Sequence, residues 1–111
     1  MTENSGTETA ERADDGTKYV PIKHAFVDRF NDDREVAVEV RFRRATPAAA
    51  ERTQQKMNKK LGAAMRNLCI SCVHPDDKQK MLEAFDEYPG LATTFGTAIL
   101  EAAGFGDLGN G

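Results

Sequence analysis

The sequence has no tryptophan, only two cysteines and no long apolar run. A stretch of about 18 apolar residues would be needed to span a bilayer, and none is present. The polar amino terminus also lacks the basic start and apolar core of a secretory signal. Cys69 and Cys72, three positions apart, cannot close a useful disulfide loop, so nothing indicates an oxidising compartment. These absences predict a soluble intracellular protein.

Motifs that carry catalysis are also absent. The chain has no glycine-rich phosphate loop, no nucleophile elbow and no carboxylate pair beside an obvious substrate groove. It also has no helix-turn-helix, zinc-finger or RNA-binding aromatic signature. The sequence therefore predicts a protein that is not an enzyme and needs no cofactor, and it disfavours nucleic acid and membranes as partners.

Apolar side chains are nearly missing from the first 17 residues. Apart from Met1, this segment has no valine, isoleucine, leucine, methionine or aromatic residue, and Arg12 is its only base against five acids. Such a composition cannot offset the entropy of ordering a chain, roughly 1–2 kcal/mol per backbone residue. We therefore predict a disordered acidic tail over residues 1–17, one domain over residues 18–104 and a flexible carboxyl terminus over residues 105–111.

A period-two pattern is the clearest structural signal. Within residues 35–44, Val36, Val38, Val40 and Phe42 alternate with Ala37, Glu39, Arg41 and Arg43. This alternation predicts a strand with the first set buried and the second in solvent. The preceding residues 31–34, Asn-Asp-Asp-Arg, are typical of a turn. With residues 19–30 before the turn, the pattern predicts a β-hairpin.

Three- and four-residue spacing dominates the rest of the chain. Thr46 and Pro47 are typical of a helix start, and one long helix is predicted to follow, with a stripe formed by Met57, Leu61, Ala64, Met65, Leu68, Cys69 and Cys72. Pro75 ends it. Two shorter helices follow, and Gly104 closes the second. The predicted fold class is α+β, an N-terminal β-hairpin packed on about three α-helices.

Cys69, Cys72, His74 and His24 would complete a zinc ligand set. Against this, His24 lies far upstream, and a redox pair favours a helix start rather than a helix end. Small buried apolar residues are the favoured interpretation of both cysteines. His74 is interpreted as a cap at a helix end, and Asp76 and Asp77 as acids favoured by a helix dipole. We predict no metal site.

The middle of the chain is strongly basic. Eight bases lie between Arg41 and Arg66 against the single acid Glu51, whereas the following residues are mostly acidic. This polarity favours self-association or a charged protein partner. Solvation, protein binding and nucleic-acid binding all remain open for the basic face. We take Arg52, Lys56, Lys59 and Lys60 as the candidate partner-binding residues.

Several short motifs, in order, resemble those of small tail assembly chaperones and related tail-module proteins of long-tailed phages and prophages. They are VRFRR at residues 40–44, NLCISCVHPD at residues 67–76, YPGL at residues 88–91 and ILEAAG at residues 99–104. The resemblance spans residues 18–104. It implies a non-enzymatic protein that binds the tape-measure protein, tail-tube subunits or both in the host cytoplasm during virion assembly. The acidic amino-terminal segment is not explained by it.

Two alternatives stay open. Within phage biology, the chain could be a permanent tail or connector protein of the virion rather than a chaperone. Outside it, the chain could be a small zinc or redox module using Cys69 and Cys72. A homo-oligomer is compatible with each of these functions.

Overall fold

A computed structural model describes residues 11–12 and 16–105 of the chain. The predicted tail over residues 1–17 and the predicted flexible terminus over residues 105–111 lie for the most part outside these residues. The described elements, in chain order, are β1 (Glu11–Arg12), β2 (Lys18–Asp28), β3 (Arg34–Arg43), α1 (Pro47–Met57), α2 (Leu61–Cys72), α3 (Lys78–Glu87) and α4 (Gly90–Ala102), with a 3-10 turn at Pro75–Asp77 before α3. The fold is α+β, as the sequence predicts.

The three strands form one antiparallel sheet in the order β1, β2, β3. Strands β2 and β3 pair along their whole length, from Tyr19 opposite Arg43 to Asp28 opposite Arg34, whereas β1 reaches only Lys18 and Tyr19. The turn between β2 and β3 holds Asp32 and Asp33 at φ values of 57° and 56°. Aspartate tolerates this left-handed conformation better than most residues, which explains the turn-forming composition.

The hairpin buries one face, as the alternation predicts, except that Tyr19 at the base of β2 is buried on the opposite face. We call inner the face that carries Val36, Val38, Val40 and Phe42, together with their β2 partners Phe26, His24, Ile22 and Val20. Burial along this face is graded, because Val40 and Phe42 are fully buried and Val36 and Val38 are only half-buried. The base of the hairpin therefore joins the core, and its distal half extends past it.

The predicted long helix is wrong, because the structure divides it in two at residues 58–60. Thr46 and Pro47 start α1 as expected, with Thr46 Oγ1 accepting a hydrogen bond from the Ala49 N–H at 3.1 Å. Lys60 then adopts φ −143° and ψ 74°, which is not helical, and α2 begins at Leu61. Met57 and Leu61, at the break, are half-buried and exposed, whereas the later stripe residues are buried. The hairpin is thus followed by four helices rather than about three.

The core lies between the base of the hairpin and the helices. Its largest fully buried side chains are Phe42, Phe95, Met65, Leu68, Met81 and Leu100. Helices α2 and α4 approach closely, because a Cβ added at Gly96 would lie 2.6 Å from Met65 Sδ and 2.9 Å from Met65 Cβ. No helix within the described residues is long and apolar enough to cross a membrane.

Candidate partner-binding site

The predicted basic residues lie on the α1 surface and in the α1–α2 connection. Arg52 and Lys56 are four residues apart in α1, while Lys59 and Lys60 lie in the non-helical connection that follows. All four are exposed. None of their side chains makes an ion pair or hydrogen bond with another described residue. They therefore form an unneutralised positive surface, available to an acidic partner.

A shallow cleft beside this surface separates α1 from α2. Its volume is about 100 Å³, and Arg52, Lys56 and Asn67 contribute to its lining. Its floor includes Thr53, whose hydroxyl donates to the Ala49 carbonyl at 2.8 Å and is thereby satisfied within α1. The cleft is too small for a bulky ligand, so the basic residues act here as surface charges.

Cys69 and Cys72 are interior residues. Cys69 is 0% exposed and Cys72 is 2% exposed, and Cys69 Sγ donates to the Ala92 carbonyl of α4 at 3.6 Å. Burial raises the pKa of the Cys69 thiol to about 12, and burial also raises the pKa of Cys72. Thiols in this state are poor nucleophiles and poor metal ligands. Nowhere in residues 11–12 and 16–105 do three His, Cys, Asp or Glu side chains come together as a metal site.

His74 caps an element, but not the one expected. Its Nδ1 accepts a hydrogen bond from the Asp76 N–H at 3.0 Å and so caps the start of the 3-10 turn, rather than the end of α2. The imidazole also packs edge-on against Tyr19, with ring centroids 4.6 Å apart. His24, the other histidine, lies on β2 and stacks on Phe26 at 5.7 Å. Each imidazole thus has a packing role.

The interpretation of Asp77 as a simple dipole partner is wrong, as is the placement of Arg41 in solvent. The Asp77 carboxylate accepts three hydrogen bonds from Arg41: from its backbone N–H at 2.9 Å, from Nε at 2.9 Å and from Nη2 at 2.8 Å. Hydrogen bonding to Arg41 lowers the pKa of Asp77 to about 2. This pair fastens the 3-10 turn to β3 and is structural.

The structure reveals a second surface that was not predicted from the sequence, a seam between the inner face of β2 and α4. At one end, His24, Phe26, Tyr88, Leu91 and Thr94 line a depression of about 380 Å³. At the other end, Val20, Ile22, Phe42, Ile99 and Ala102 line a depression of about 210 Å³. We call these the distal and proximal depressions. Val20 is 39% exposed, although it lies on the inner face. The seam is therefore apolar and half-open.

Tyr88 fixes the distal end of the seam. Its hydroxyl donates to Asp28 Oδ2 at 2.8 Å and accepts from Arg34 Nη2 at 3.2 Å, and its ring meets Phe26 edge-on at 4.9 Å. The hydrogen bond to Asp28 raises the pKa of the Tyr88 hydroxyl. The distal half of the hairpin is thus tied to the end of α3. Tyr88 and Phe26 therefore form a fixed wall of the distal depression.

Basic residues border the proximal depression. Lys18, Arg43 and Arg44 contribute to its lining. Arg44 Nη1 also donates to the Ala102 carbonyl at 3.1 Å, at the end of α4. This end of the seam therefore favours a negatively charged group next to an apolar one.

A further apolar feature is Phe30, which is 102% exposed at the tip of the hairpin.

A signal for the seam was present in the sequence. Val20, Ile22, His24 and Phe26 recur with a period of two, but the apolar residues Tyr19, Ala25 and Val27 at the alternate positions obscure the pattern. In the sequence, Tyr88 looks like a further member of the apolar stripe of α3. Nothing local indicates that α4 would pack against β2 and leave part of that strand uncovered, because that depends on contacts between residues far apart in the chain.

Fold and site together define a small α+β protein with a half-open apolar seam and a separate basic helix surface. The family model for DUF6848, a domain of unknown function, matches residues 14–110. The chain therefore belongs to the DUF6848 family. No curated protein matches it.

One solved structure shares the fold, that of the uncharacterised protein rbstp2171 from Bacillus stearothermophilus. The TM-score is 0.61 at 22% sequence identity, and the match covers 78% of this chain and 84% of the other. At this identity the likeness concerns the fold alone.

Proposed function

We propose that the protein is a non-enzymatic tail assembly chaperone of long-tailed phages or prophages. In this role it binds the tape-measure protein, tail-tube subunits or both in the host cytoplasm during virion assembly. The ordered motifs at residues 40–44, 67–76, 88–91 and 99–104 suggest this class. The observation that carries the binding role is the seam, where Val20, Ile22 and Phe26 remain partly exposed between β2 and α4.

Apolar surface that stays accessible in a folded protein is suited to covering apolar surface on another polypeptide. A chaperone needs such contact to be reversible, and a half-open seam provides less burial than a closed core. The basic residues Arg52, Lys56, Lys59 and Lys60 add a charged surface that can speed encounter with an acidic partner. The buried thiols of Cys69 and Cys72 favour this role over zinc or redox chemistry.

Co-expression with a candidate tape-measure protein, a long helical chain, tests the proposal. We expect the chain to raise the soluble yield of that protein and to co-purify with it. Absence of both effects, for the tape-measure and the tail-tube candidates alike, would refute the proposal. Mass spectrometry of purified particles separates a chaperone from a permanent tail or connector protein, because only the latter remains in the virion.

A variant series locates the binding surface. We expect Ile22→Asp, which places a charge in the proximal depression, to abolish co-purification. Val27→Asp is the matched control, because Val27 lies on the opposite face of β2 and is 48% exposed. Circular dichroism shows whether each variant is folded, so that a loss of binding can be assigned to the seam.

A further inference from the structure

Among the described residues, only the first two residues of β2 have a strand partner on the edge that faces away from β3. Within the described residues, β1 pairs with this edge only at Lys18 and Tyr19, and no strand pairs with it between Val20 and Asp28. An uncovered strand edge presents unpaired backbone N–H and C=O groups, which can pair with another extended chain. The number of hydrogen bonds that such a chain can form depends on which backbone groups of β2 point away from β3.

The contacts of Arg41 determine which groups point outward. Its N–H donates to Asp77 Oδ2 and its C=O accepts from the His74 N–H, both at 2.9 Å, so both groups point away from β2. Arg41 pairs with Pro21, and in an antiparallel ladder the two residues of such a pair both point outward. Because the pattern alternates, Lys23, Ala25 and Val27 also direct their backbone groups to the free edge. Val20, Ile22, His24 and Phe26 direct theirs to β3.

The free edge therefore offers donors at Lys23, Ala25 and Val27 and carbonyl acceptors at these residues and at Pro21. Pro21 has no N–H, which limits pairing at the proximal end. A two-fold pairing of β2 with β2 of a second copy would bring two Pro21 residues into one ladder, each with a missing donor. When the partner is a different polypeptide, the ladder lacks only the one donor that is missing at Pro21 of this chain.

The seam lies directly beside this edge. Inner-face side chains of an added strand would point toward α4, as those of β2 do, and would meet the two depressions. His24 and Phe26 line the distal one, and Val20 and Ile22 line the proximal one. These pairs are four residues apart along β2, or roughly 13 Å at the rise of a strand. Side chains at positions i and i+4 of an added strand match this separation.

We propose that β2 binds an extended segment of a partner protein by strand addition, antiparallel to β2 as β1 is. The segment carries a large apolar residue for the distal depression and, four residues later, a smaller apolar residue for the proximal one. Acidic residues follow opposite Pro21 and Val20, just short of β1, where their side chains face the basic border formed by Lys18, Arg43 and Arg44. Backbone pairing provides affinity, and the two depressions and the basic border provide selectivity. This inference rests on the proposed function in one respect, namely that the partner is a polypeptide. It adds that the bound segment is an extended strand with apolar and acidic residues at stated positions.

The test uses ¹⁵N-labelled full-length protein and the peptide acetyl-TKFTVSVEE-amide, with variants in which leucine, isoleucine or tyrosine replaces the phenylalanine. We expect binding to slow amide hydrogen exchange at Lys23, Ala25 and Val27, and not at His24 and Phe26, whose amides already face β3. The reversed sequence, acetyl-EEVSVTFKT-amide, is expected to bind at least about 10-fold more weakly, because it brings the acidic residues to the wrong end.

Two alanines provide a matched pair of variants. Ala25 and Ala37 face each other across the hairpin, and both are exposed, but their backbone groups point to opposite edges of the sheet. Ala25→Pro removes an outward donor from the β2 edge, and we expect it to weaken peptide binding about 10-fold or more. Ala37→Pro makes the same change at the β3 edge and should leave binding unchanged.

Several outcomes would overturn the inference. One is that no peptide binds at concentrations on the order of 1 mM. Another is that amide exchange slows equally at all residues of β2, and a third is that Ala25→Pro and Ala37→Pro reduce peptide binding equally. Slow exchange at Lys23, Ala25 and Val27 in the free protein would also overturn it, because the edge would then be covered by a second copy or by another segment of the chain.

The same variants separate this inference from the proposed function. If Ala25→Pro co-purifies with the tail partner as well as the unaltered chain does, strand addition is wrong and the chaperone role stands. If peptide binding follows the expected pattern while no tail protein is bound, strand addition stands and the chaperone role is wrong.

Discussion

Arg41 and Asp77 join two parts of the chain that are 36 residues apart, and they do so through both backbone and side chain. The guanidinium meets the carboxylate at 2.8 Å, and the side chains are 22% and 9% exposed. The carboxylate therefore holds the start of the α3 region against β3. It also binds the Arg41 backbone N–H, which points away from β2, and the β2–β3 register then gives the direction of the other backbone groups of the hairpin.

This pair should make stability depend on pH in the acid range. Because the pKa of Asp77 is depressed to about 2 from 3.8, its carboxylate stabilises the fold fully above pH 3.8 and loses this effect as the pH falls toward 2. The contribution is about 2 kcal/mol. Urea unfolding of Asp77→Asn should show a lower free energy of unfolding at neutral pH and a weaker decline through this window.

Asp76→Asn is the control for that experiment, because the Asp76 side chain is 80% exposed. We expect it to change the free energy of unfolding by less than about 0.5 kcal/mol. Equal pH profiles for Asp77→Asn and the unaltered chain would contradict the structural role of the pair.

Gly96 allows α2 and α4 to approach each other. Gly96→Ala would bring the new methyl group against Met65 Cβ, which cannot move without shifting α2, so we expect a loss of about 1–3 kcal/mol. Gly62→Ala, also in a helix, has open space around it and should stabilise by up to about 1 kcal/mol. Thermal unfolding of both variants measures the difference. A stable Gly96→Ala protein would mean that the helices are farther apart than described.

The two thiols should be inert in the folded protein. Cys69 and Cys72 are buried, and the pKa of each is raised, so little thiolate is present at about pH 8, near the pKa of an exposed thiol. We expect a bulky disulfide reagent to label neither thiol in native protein and both in denaturant. Rapid native labelling of both, or release of zinc during labelling, would show that they form an accessible site.

The basic surface should affect partner binding without affecting the fold. Because Arg52 and Lys56 have no ion-pair partner among the described residues, the double variant Arg52→Glu/Lys56→Glu should stay within about 0.5 kcal/mol of the unaltered stability. Its affinity for the tail partner should fall about 10-fold at low salt and less at high salt.

Lys78→Glu/Lys80→Glu on α3 is the control for surface charge, because it changes the net charge by the same amount and both lysines are exposed but lie on another helix. If both variants reduce affinity equally, the effect is one of net charge rather than of the α1 surface. If neither does, the basic residues are only solvated.

Local features of the fold could be predicted from the sequence. The alternation from Val36 to Phe42 gives the buried face of β3, Thr46 and Pro47 mark the start of α1, and Gly104 closes α4 with φ 99°. Each of these depends on residues within about four positions of one another. The break at residues 58–60 was missed because the apolar spacing continues across it, although Met57 and Leu61 are not buried together.

Only part of the candidate site could be predicted from the sequence. The clustering of bases in the sequence predicted that Arg52, Lys56, Lys59 and Lys60 are exposed, and the structure confirms their exposure, while their role in binding stays a prediction. The seam could not be identified, since it arises where α4 covers only part of the inner face of β2. The roles of Arg41 and Asp77 were hidden for the same reason, because each looks like an ordinary exposed charge until its partner is known.

The sequence by itself determined the hairpin, the helix boundaries other than those between α1 and α2, the burial of Cys69 and Cys72 and the position of the basic surface, because periodicity, capping and charge are short-range properties. Only the tertiary structure decided where the long helical pattern breaks, which charges pair and which apolar residues stay uncovered. These depend on contacts such as Arg41 with Asp77 and Tyr88 with Asp28, 36 and 60 residues apart. No local pattern encodes which distant segment a given face will meet.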